Sequence, residues 1–179
     1  MIHSWVWLII AAILIFWAVG ARNRLLRMRH DIITCFDVVH TQFQQRQNLL
    51  TQWLESLRPV LGDQAPELLA VKAASRQLEV AREYLQAKPV AAQAAASFRI
   101  AEETLATTRS RLAVIVPARA LDASLLQPTA TESLFAADST LAFSRHAFNH
   151  ATQSYNDALL EFPTWIIAGL FGLRAAGTI

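Results

Sequence analysis

The side chains that most often carry out chemistry are few and scattered in this sequence. His146 and His150 stand four residues apart, a spacing at which both rings of a helix could reach one metal ion. No glutamate follows His146 and no third ligand stands nearby, so we interpret the pair as two histidines on a polar face. Cys35 is the single cysteine and has no neighbour that would activate its thiol, which favours a packing role. The sequence therefore predicts no catalytic residue, no metal site and no cofactor.

Three charged residues are more informative, because they interrupt helical patterns that are otherwise mostly apolar. Arg46, Asp138 and Arg145 stand on these patterns, where a charge must be paired or must reach water. Asp138 and Arg145 are two helical turns apart, so we expect them to pair across helices rather than with each other. Such residues often fix the register of packed helices, and ligand recognition is the alternative role.

Asn149 and Asn156 each follow an aromatic residue, Phe148 and Tyr155. Neighbouring residues on a helix point about 100 degrees apart, so the two rings can face the core while the asparagines flank it. We expect the asparagines to bond a neighbouring helix; the alternative is that they merely occupy the helix surface. Together with Arg46, Asp138 and Arg145 they form what we call the polar seam.

The positions of these residues depend on long helices. Low glycine and proline contents favour helix over sheet, and apolar residues recur at alternating steps of three and four. On the first helix this pattern comprises Ile32, Phe36, Val39, Phe43, Leu50, Trp53 and Leu57, with Arg46 as its one interruption. We predict an all-α fold in which an N-terminal transmembrane helix continues into an antiparallel bundle of about four long helices.

Prolines and caps set the predicted limits of these helices. The first helix runs without a break from Trp5 to Arg58, and Pro59 and Gly62 end it. The second spans about Pro66 to Gln86, with Leu68, Val71, Leu78 and Leu85 on one face. The third has Pro89 in its first turn and stops at Pro117, before a connection that reaches Pro128. The fourth opens with a capping box formed by Thr129 and Glu132, carries a seam from Leu134 to Phe162, and ends at Pro163.

The N-terminal segment is apolar enough to cross a bilayer. Trp5 to Ala21 contains no charged residue and approaches the length of about 20 residues that a span requires. A membrane flank of four arginines follows it: Arg22, Arg24, Arg27 and Arg29. A cleavable signal peptide would carry its positive charge before the apolar run, so we expect a retained anchor. Since positive flanks stay in the cytoplasm, we predict a single-pass protein with its N-terminus outside and its domain inside.

The C-terminal tail is also apolar, but it is too short to span a membrane. The residues of the tail that we expect to make contacts outside the bundle are Trp165, Ile166, Leu170 and Phe171. Four antiparallel passes return the chain to the membrane, so we expect the tail to contact the bilayer surface or a neighbouring subunit; docking on the bundle is the alternative. The predicted organisation is thus an anchor over 1–21, a bundle domain over 22–163 and a tail over 164–179.

Several motifs resemble those of the LemA family. Arg22-Asn23-Arg24-Leu25 occupies the place of a Tyr-Asn-x-Leu-like motif, and the segment Gln45 to Trp53 is a departed version of an Arg-Arg-x-Asp-Leu-Ile-Pro-Asn-Leu-like motif. The C-terminal match is closer, and it comprises Asp138, Leu141, Arg145, Phe148-Asn149, Tyr155-Asn156, Phe162-Pro163 and Ala168-Gly169-Leu170-Phe171-Gly172. The resemblance is weak between about Pro59 and Leu126, so the chain resembles a divergent member.

The resemblance implies a bacterial inner-membrane protein with a helical-bundle domain and no agreed activity. We therefore expect no enzyme, but a membrane-anchored scaffold or interaction protein whose partners are the lipid bilayer, further copies of the chain or other membrane proteins. The alternative is a membrane-tethered sensor or regulatory subunit that binds a ligand or a membrane-protein partner through the polar seam. A formal net charge of +2, with no basic stripe interleaved with aromatics, argues against nucleic acid as a partner. Nothing in the sequence identifies a small-molecule substrate.

Overall fold

The computed structural model describes residues 2–119, 128–162 and 164–179. Within these ranges the chain forms helices and no strand, which confirms the predicted all-α architecture. The helices are α1 (Ile2–Leu61), α2 (Pro66–Ala87), α3 (Ala92–Arg119), α4 (Pro128–Leu160) and α5 (Thr164–Leu170).

The longest element, α1, is one unbroken helix of 60 residues, which corresponds to about 90 Å at 1.5 Å per residue. Residues 5–17 are all exposed, whereas Leu25 is fully buried, so the two ends of α1 have different surroundings. Within the described residues, α1 is the one helix that is long and apolar enough to cross a membrane. The predicted continuity between the apolar segment and the bundle is confirmed.

The bundle packs around the second half of α1. Every residue of the predicted seam is buried, including Phe36, Phe43 and the charged Arg46. Each large apolar side chain that leaves water stabilises the fold by roughly 1.5–3 kcal/mol, so this seam supplies much of the driving force for packing. The four apolar residues predicted on α2 are buried as well, namely Leu68, Val71, Leu78 and Leu85.

Contacts between α1 and α4 show that the two helices run in opposite directions. The Phe36 and Phe148 rings meet edge to face with centroids 6.1 Å apart near the middle of the pair. Arg24 and Glu161 pair at one end, and Arg46 approaches Asp138 towards the other. The predicted return of the fourth helix towards the apolar end of α1 is therefore confirmed, and α2 and α3 pack on each other as a hairpin beside α1.

Several predicted helix limits were wrong by a few residues. Pro59 does not end α1, which continues to Leu61, because a proline in the last turn removes only one backbone hydrogen bond. Gly62, with φ of +85°, ends the helix instead. Pro89 precedes α3 rather than entering it, since α3 begins at Ala92 and includes Pro117 near its end.

The start and end of α4 also differ from the prediction. The helix begins at Pro128, so Thr129 is not its N-cap and the predicted capping box does not form its start; proline is favoured at a first helical position. The helix ends at Leu160, and Phe162 is therefore exposed in the following turn rather than buried on the seam. The predicted connection falls largely on residues 120–127, and the predicted stop falls on Pro163; both lie outside the described residues.

The C-terminal segment returns along the bundle instead of hanging free. Ala176 and Ile179 are buried, and Gly177 lies so close to α3 that an added Cβ would stand 2.8 Å from the Ala92 Cα. The segment therefore fits between α3 and α4 only with glycine at this position. Of the tail residues, Ile167 and Ala168 are buried, whereas the four predicted contact residues, Trp165, Ile166, Leu170 and Phe171, are exposed.

Candidate functional site

A cluster of charged side chains links three helices in the middle of the bundle. Arg46 on α1 donates two hydrogen bonds to the Glu102 carboxylate on α3, one of them with an Nη2 to Oε2 distance of 2.9 Å. Arg109 on α3 donates to both Asp138 oxygens on α4, at 3.1 and 2.7 Å. The Arg46 Nη1 lies 3.7 Å from the Asp138 Oδ1 and so connects the two pairs. We call these four residues the charged cluster.

The environment of the charged cluster makes it costly to disrupt. The Arg46 side chain is 3% exposed and Glu102 is 14% exposed, so both charges have lost most of their water. The Arg46 guanidinium also lies over the Phe43 ring, 5.3 Å from its centroid. A bidentate pair in such a place stabilises one alignment of the helices, because sliding one helix would leave a buried charge unpaired.

The structure places Arg46 and Asp138 together, as neighbours in one cluster, but it gives Arg145 a different position from the expected one. Arg145 is half-buried and lines the same cavity of about 260 Å³ as Arg46, Glu102 and Arg109. Within the described chain, its side chain donates no hydrogen bond, so the predicted interhelical bond of Arg145 was wrong. The reason is that Arg109, reaching across from α3, already occupies both oxygens of Asp138.

Sequence reasoning missed three polar residues that matter here. Glu102 and Arg109 each stand four residues after a buried apolar residue of α3, Phe98 and Leu105 respectively, and this spacing was available as a signal. Arg82 is buried and stands between Leu78 and Leu85 at steps of four and three, so it too interrupts an apolar pattern. Its guanidinium donates to Glu79 and Gln86 and lies 2.8 Å from the His40 Nδ1.

Asn149 and Asn156 form a second arrangement, which we call the asparagine clasp. The Asn156 Nδ2 donates to the Ala176 carbonyl at 2.9 Å, and the Ala176 N–H donates back to the Asn156 Oδ1 at 2.8 Å. Asn149 makes the same pair of bonds with the Ile179 backbone, at 2.7 and 2.8 Å. The expected structural bonds exist, but their partner is the backbone of the terminal segment and not a neighbouring helix.

The spacing of the asparagine clasp follows from elementary geometry. Seven residues of helix rise about 10.5 Å, which separates the two asparagine side chains along α4. Three residues of extended chain, from Ala176 to Ile179, span about 10 Å. The spacing of the two asparagines on α4 therefore equals the spacing of their two backbone partners. Because Asn149 pairs with Ile179 and Asn156 with Ala176, the segment runs antiparallel to α4. The Tyr155 hydroxyl adds a third bond by donating to the Arg174 carbonyl at 3.1 Å.

The apolar end of the bundle collects the arginine flank and α5. The Arg24 Nη1 lies 3.2 Å from the Glu161 Oε2, and the Arg22 guanidinium lies over the Phe171 ring, 5.2 Å from its centroid. Phe162 and Thr164 share a shallow cavity with Trp17 and Gly20 of α1. The beginning of α5 thus lies beside the last turns of the apolar segment, at the height where a membrane span would end.

The two histidines and the cysteine considered from the sequence take no part in these contacts. His146 and His150 are both exposed, and the described residues contain no group of three histidine, cysteine or acidic side chains that could hold a metal ion. Cys35 is half-buried on α1, and this burial, with a smaller contribution from the Asp31 charge, raises the pKa of its thiol. A raised pKa reduces the thiolate fraction at neutral pH and therefore the reactivity of the cysteine.

A comparison with protein families finds one that covers most of the chain. The model of the LemA family matches residues 35–178, which include the charged cluster and both asparagines of the clasp. The chain belongs to the LemA family. A search of the curated proteins finds no match. The LemA match begins after the apolar segment and the four flanking arginines, so it does not cover them.

The charged cluster of this LemA protein yields a direct prediction. Glu102→Ala leaves Arg46 buried without its bidentate partner, and we expect the free energy of unfolding to fall by roughly 3–5 kcal/mol. Arg145→Ala removes no hydrogen bond and should change it by less than about 0.5 kcal/mol. Chemical unfolding of the full chain in mild detergent, followed by circular dichroism, measures both.

The matched control is Glu103→Ala, the same substitution at an exposed neighbour on α3. If Glu102→Ala is no more destabilising than Glu103→Ala, the charged cluster does not hold the helices in register.

Proposed function

We propose that this protein is a membrane-anchored helical scaffold that holds its bundle at a fixed height and orientation above the bilayer, with no catalytic role. The observation that carries the proposal is the continuity of α1. Its exposed apolar segment and the buried spine of the bundle belong to one helix of 60 residues. A flexible linker would let the domain tumble, whereas a continuous helix transmits the direction of the anchor to the domain.

The apolar end of the bundle supports a second contact with the membrane. Trp165, Leu170 and Phe171 are exposed on or next to α5, and Phe162 is 78% exposed just before it. Phe162 and Phe171 lie beside the end of the apolar segment and its arginine flank, and aromatic rings favour the membrane interface. The four arginines of the membrane flank each add an attraction to anionic lipid on the order of 1 kcal/mol. Two attachments, one spanning and one interfacial, would fix the orientation of the bundle.

The orientation across the membrane follows from the same arginines. They follow the apolar segment and no Lys or Arg precedes it, which favours an outside N-terminus and a domain in the cytoplasm. In a bacterial cell the corresponding location is the inner membrane.

A cysteine-labelling experiment on spheroplasts tests this topology. In a Cys35→Ala background, Ser4→Cys should react with a membrane-impermeant maleimide in intact spheroplasts, and Ser139→Cys should react only after permeabilisation. Ser139 is exposed on α4, so access to it is limited by the membrane and not by packing. Labelling of Ser139→Cys in intact spheroplasts, or a mature chain that has lost residue 4, would contradict the proposed anchor or its orientation.

Exposed apolar side chains on α3 and α4 offer a surface through which a scaffold could assemble. Val114 on α3 and Phe135 and Phe143 on α4 are each more than 70% exposed. Phe135 and Phe143 are eight residues apart, so they project within about 80 degrees of each other on the helix. Exposed aromatic side chains of this kind are typical of protein interaction surfaces. We expect a second copy of the chain to contact this surface.

Assembly of the full chain in lipid nanodiscs or gentle detergent tests the scaffold role. We expect more than one copy per particle by analytical ultracentrifugation, and Phe135→Gln with Phe143→Gln should shift the population towards single copies without lowering thermal stability. Val38→Gln with Val80→Gln is the matched control, because both valines are exposed elsewhere. A chain that stays monomeric at every concentration would contradict the scaffold and favour the regulatory-subunit alternative.

A further inference from the structure

A cavity at the membrane-proximal end of the bundle is lined by three cations. It has a volume of about 430 Å³ and lies where α1, the turn between α2 and α3, and the tail meet. Arg29 contributes from α1, Lys88 from the turn and Arg174 from the tail. Among the described residues that line it, none is acidic; the other walls are Ile33, Pro89, Val90, Gly172, Leu173 and the alanines 87 and 91.

The three cations have no anionic partner inside the described part of the chain. The ion pairs of the bundle involve Arg24, Arg46, Arg58, Arg82 and Arg109, and none of them includes Arg29, Lys88 or Arg174. The Lys88 ammonium lies over the Tyr84 ring, 5.6 Å from its centroid. This contact positions the lysine side chain but does not neutralise its charge. Like charges that converge on one cavity repel each other, and an anion bound between them would relieve that repulsion.

Hydrogen bonds hold the backbone around the cavity, so the fold itself brings the three cationic residues together. The Leu173 N–H donates to the Ala168 carbonyl at 2.9 Å, and the Arg174 carbonyl accepts from the Tyr155 hydroxyl. The Lys88 N–H donates to the Tyr84 and Leu85 carbonyls as the cap of α2. Arg174 and Lys88 therefore start from ordered backbone, which reduces the entropy lost when they bind a ligand.

We propose that this cavity binds a phosphate group. Two guanidinium groups and one ammonium group match the chemistry of a phosphate monoester or diester, since guanidinium groups bind its oxygens through paired N–H donors. The volume exceeds that of a bare ion and lies within the range of small-molecule sites, so the polar group that carries the phosphate fits as well.

The position of the cavity favours a lipid headgroup as the source of the phosphate. Arg29 follows Ala21 by eight residues, or about 12 Å along α1. The headgroup layer is about 5–8 Å thick on each side of the bilayer, so the Arg29 backbone lies about 4–7 Å beyond it, a gap that a phosphate at the outer end of a headgroup and the long arginine side chain span together. The lipid source rests on the proposed anchoring, whereas the phosphate site itself stands on the cavity alone, and a free phosphate compound offers the same chemistry.

The test uses the full chain in nanodiscs and two probes. Inorganic phosphate is titrated into nanodiscs of phosphatidylcholine by calorimetry, with chloride at equal ionic strength as the reference. In parallel, nanodiscs that contain a phosphatidylinositol phosphate are analysed by native mass spectrometry for lipid retained on the protein. Lys88→Gln with Arg174→Gln is the cavity variant, because both side chains are exposed and make no ion pair. Arg76→Gln with Arg111→Gln removes the same charge from exposed positions outside the cavity.

We expect saturable binding of at least one probe, weakened about tenfold by the cavity variant and less than about twofold by the control. Binding of inorganic phosphate identifies a site for free phosphate compounds, and retention of the lipid alone identifies a headgroup site; either outcome supports the proposal. The absence of saturable binding by both probes, or an equal loss in both variants, overturns it. Phosphate binding by a chain that fails the topology test would leave the site intact and contradict only the anchoring.

Discussion

Two asparagine side chains hold the C-terminal segment against α4, and the half of the bundle beside the apolar segment of α1 depends on them. Asn149 and Asn156 together donate and accept four hydrogen bonds with the backbone of Ala176 and Ile179. An extended segment has no internal hydrogen bonds, so its N–H and C=O groups would be unsatisfied if it were buried without partners. An asparagine amide offers one donor and one acceptor side by side, which suits the N–H and C=O of a single residue.

The asparagine clasp also positions residues that do not touch it. By fixing the chain from Arg174 onwards, it places Arg174 at the cavity with Arg29 and Lys88. By fixing the C-terminal end of the tail, it limits where α5 can lie. Phe171 thereby meets the Arg22 guanidinium, just after the apolar segment of α1. The charged cluster has a different task, because it joins α1, α3 and α4 in one register halfway along the bundle. One set of contacts aligns the helices, and the other completes the end beside the apolar segment of α1.

Local patterns were enough to predict most of the fold from the sequence. The alternating steps of three and four identified the buried face of α1, including Arg46, because helical periodicity is a property of the sequence alone. Proline positions were a weaker guide, since the cost of a proline depends on where in a helix it stands. Pro59 and Pro117 both lie inside helices near their ends, where few hydrogen bonds are lost.

The partners of the polar residues could not be predicted in the same way. The sequence placed Asp138 and Arg145 on one helical seam, but the choice of Arg109 as the partner of Asp138 depends on how α3 lies across α4. Asn149 and Asn156 were identified as bonding residues, yet their partner was the end of the tail, residues 176–179, which carries no periodic signal because it is not helical. Contacts between distant segments depend on tertiary geometry, and a single sequence does not contain that geometry explicitly.

The asparagine clasp orders the terminal segment and, through it, the end of the bundle beside the apolar segment of α1. Amide hydrogen exchange of the full chain in nanodiscs tests it most directly, with Asn149→Ala and Asn156→Ala combined and Gln153→Ala, an exposed residue between them on α4, as the control. We predict that the Ala176 and Ile179 amides are protected in the native chain and in the control, and that they exchange about tenfold faster in the double variant, because an amide hydrogen bond must open before exchange. Equal protection of these amides in the double variant would contradict the claim and show that packing of the segment between α3 and α4 is sufficient without the asparagines.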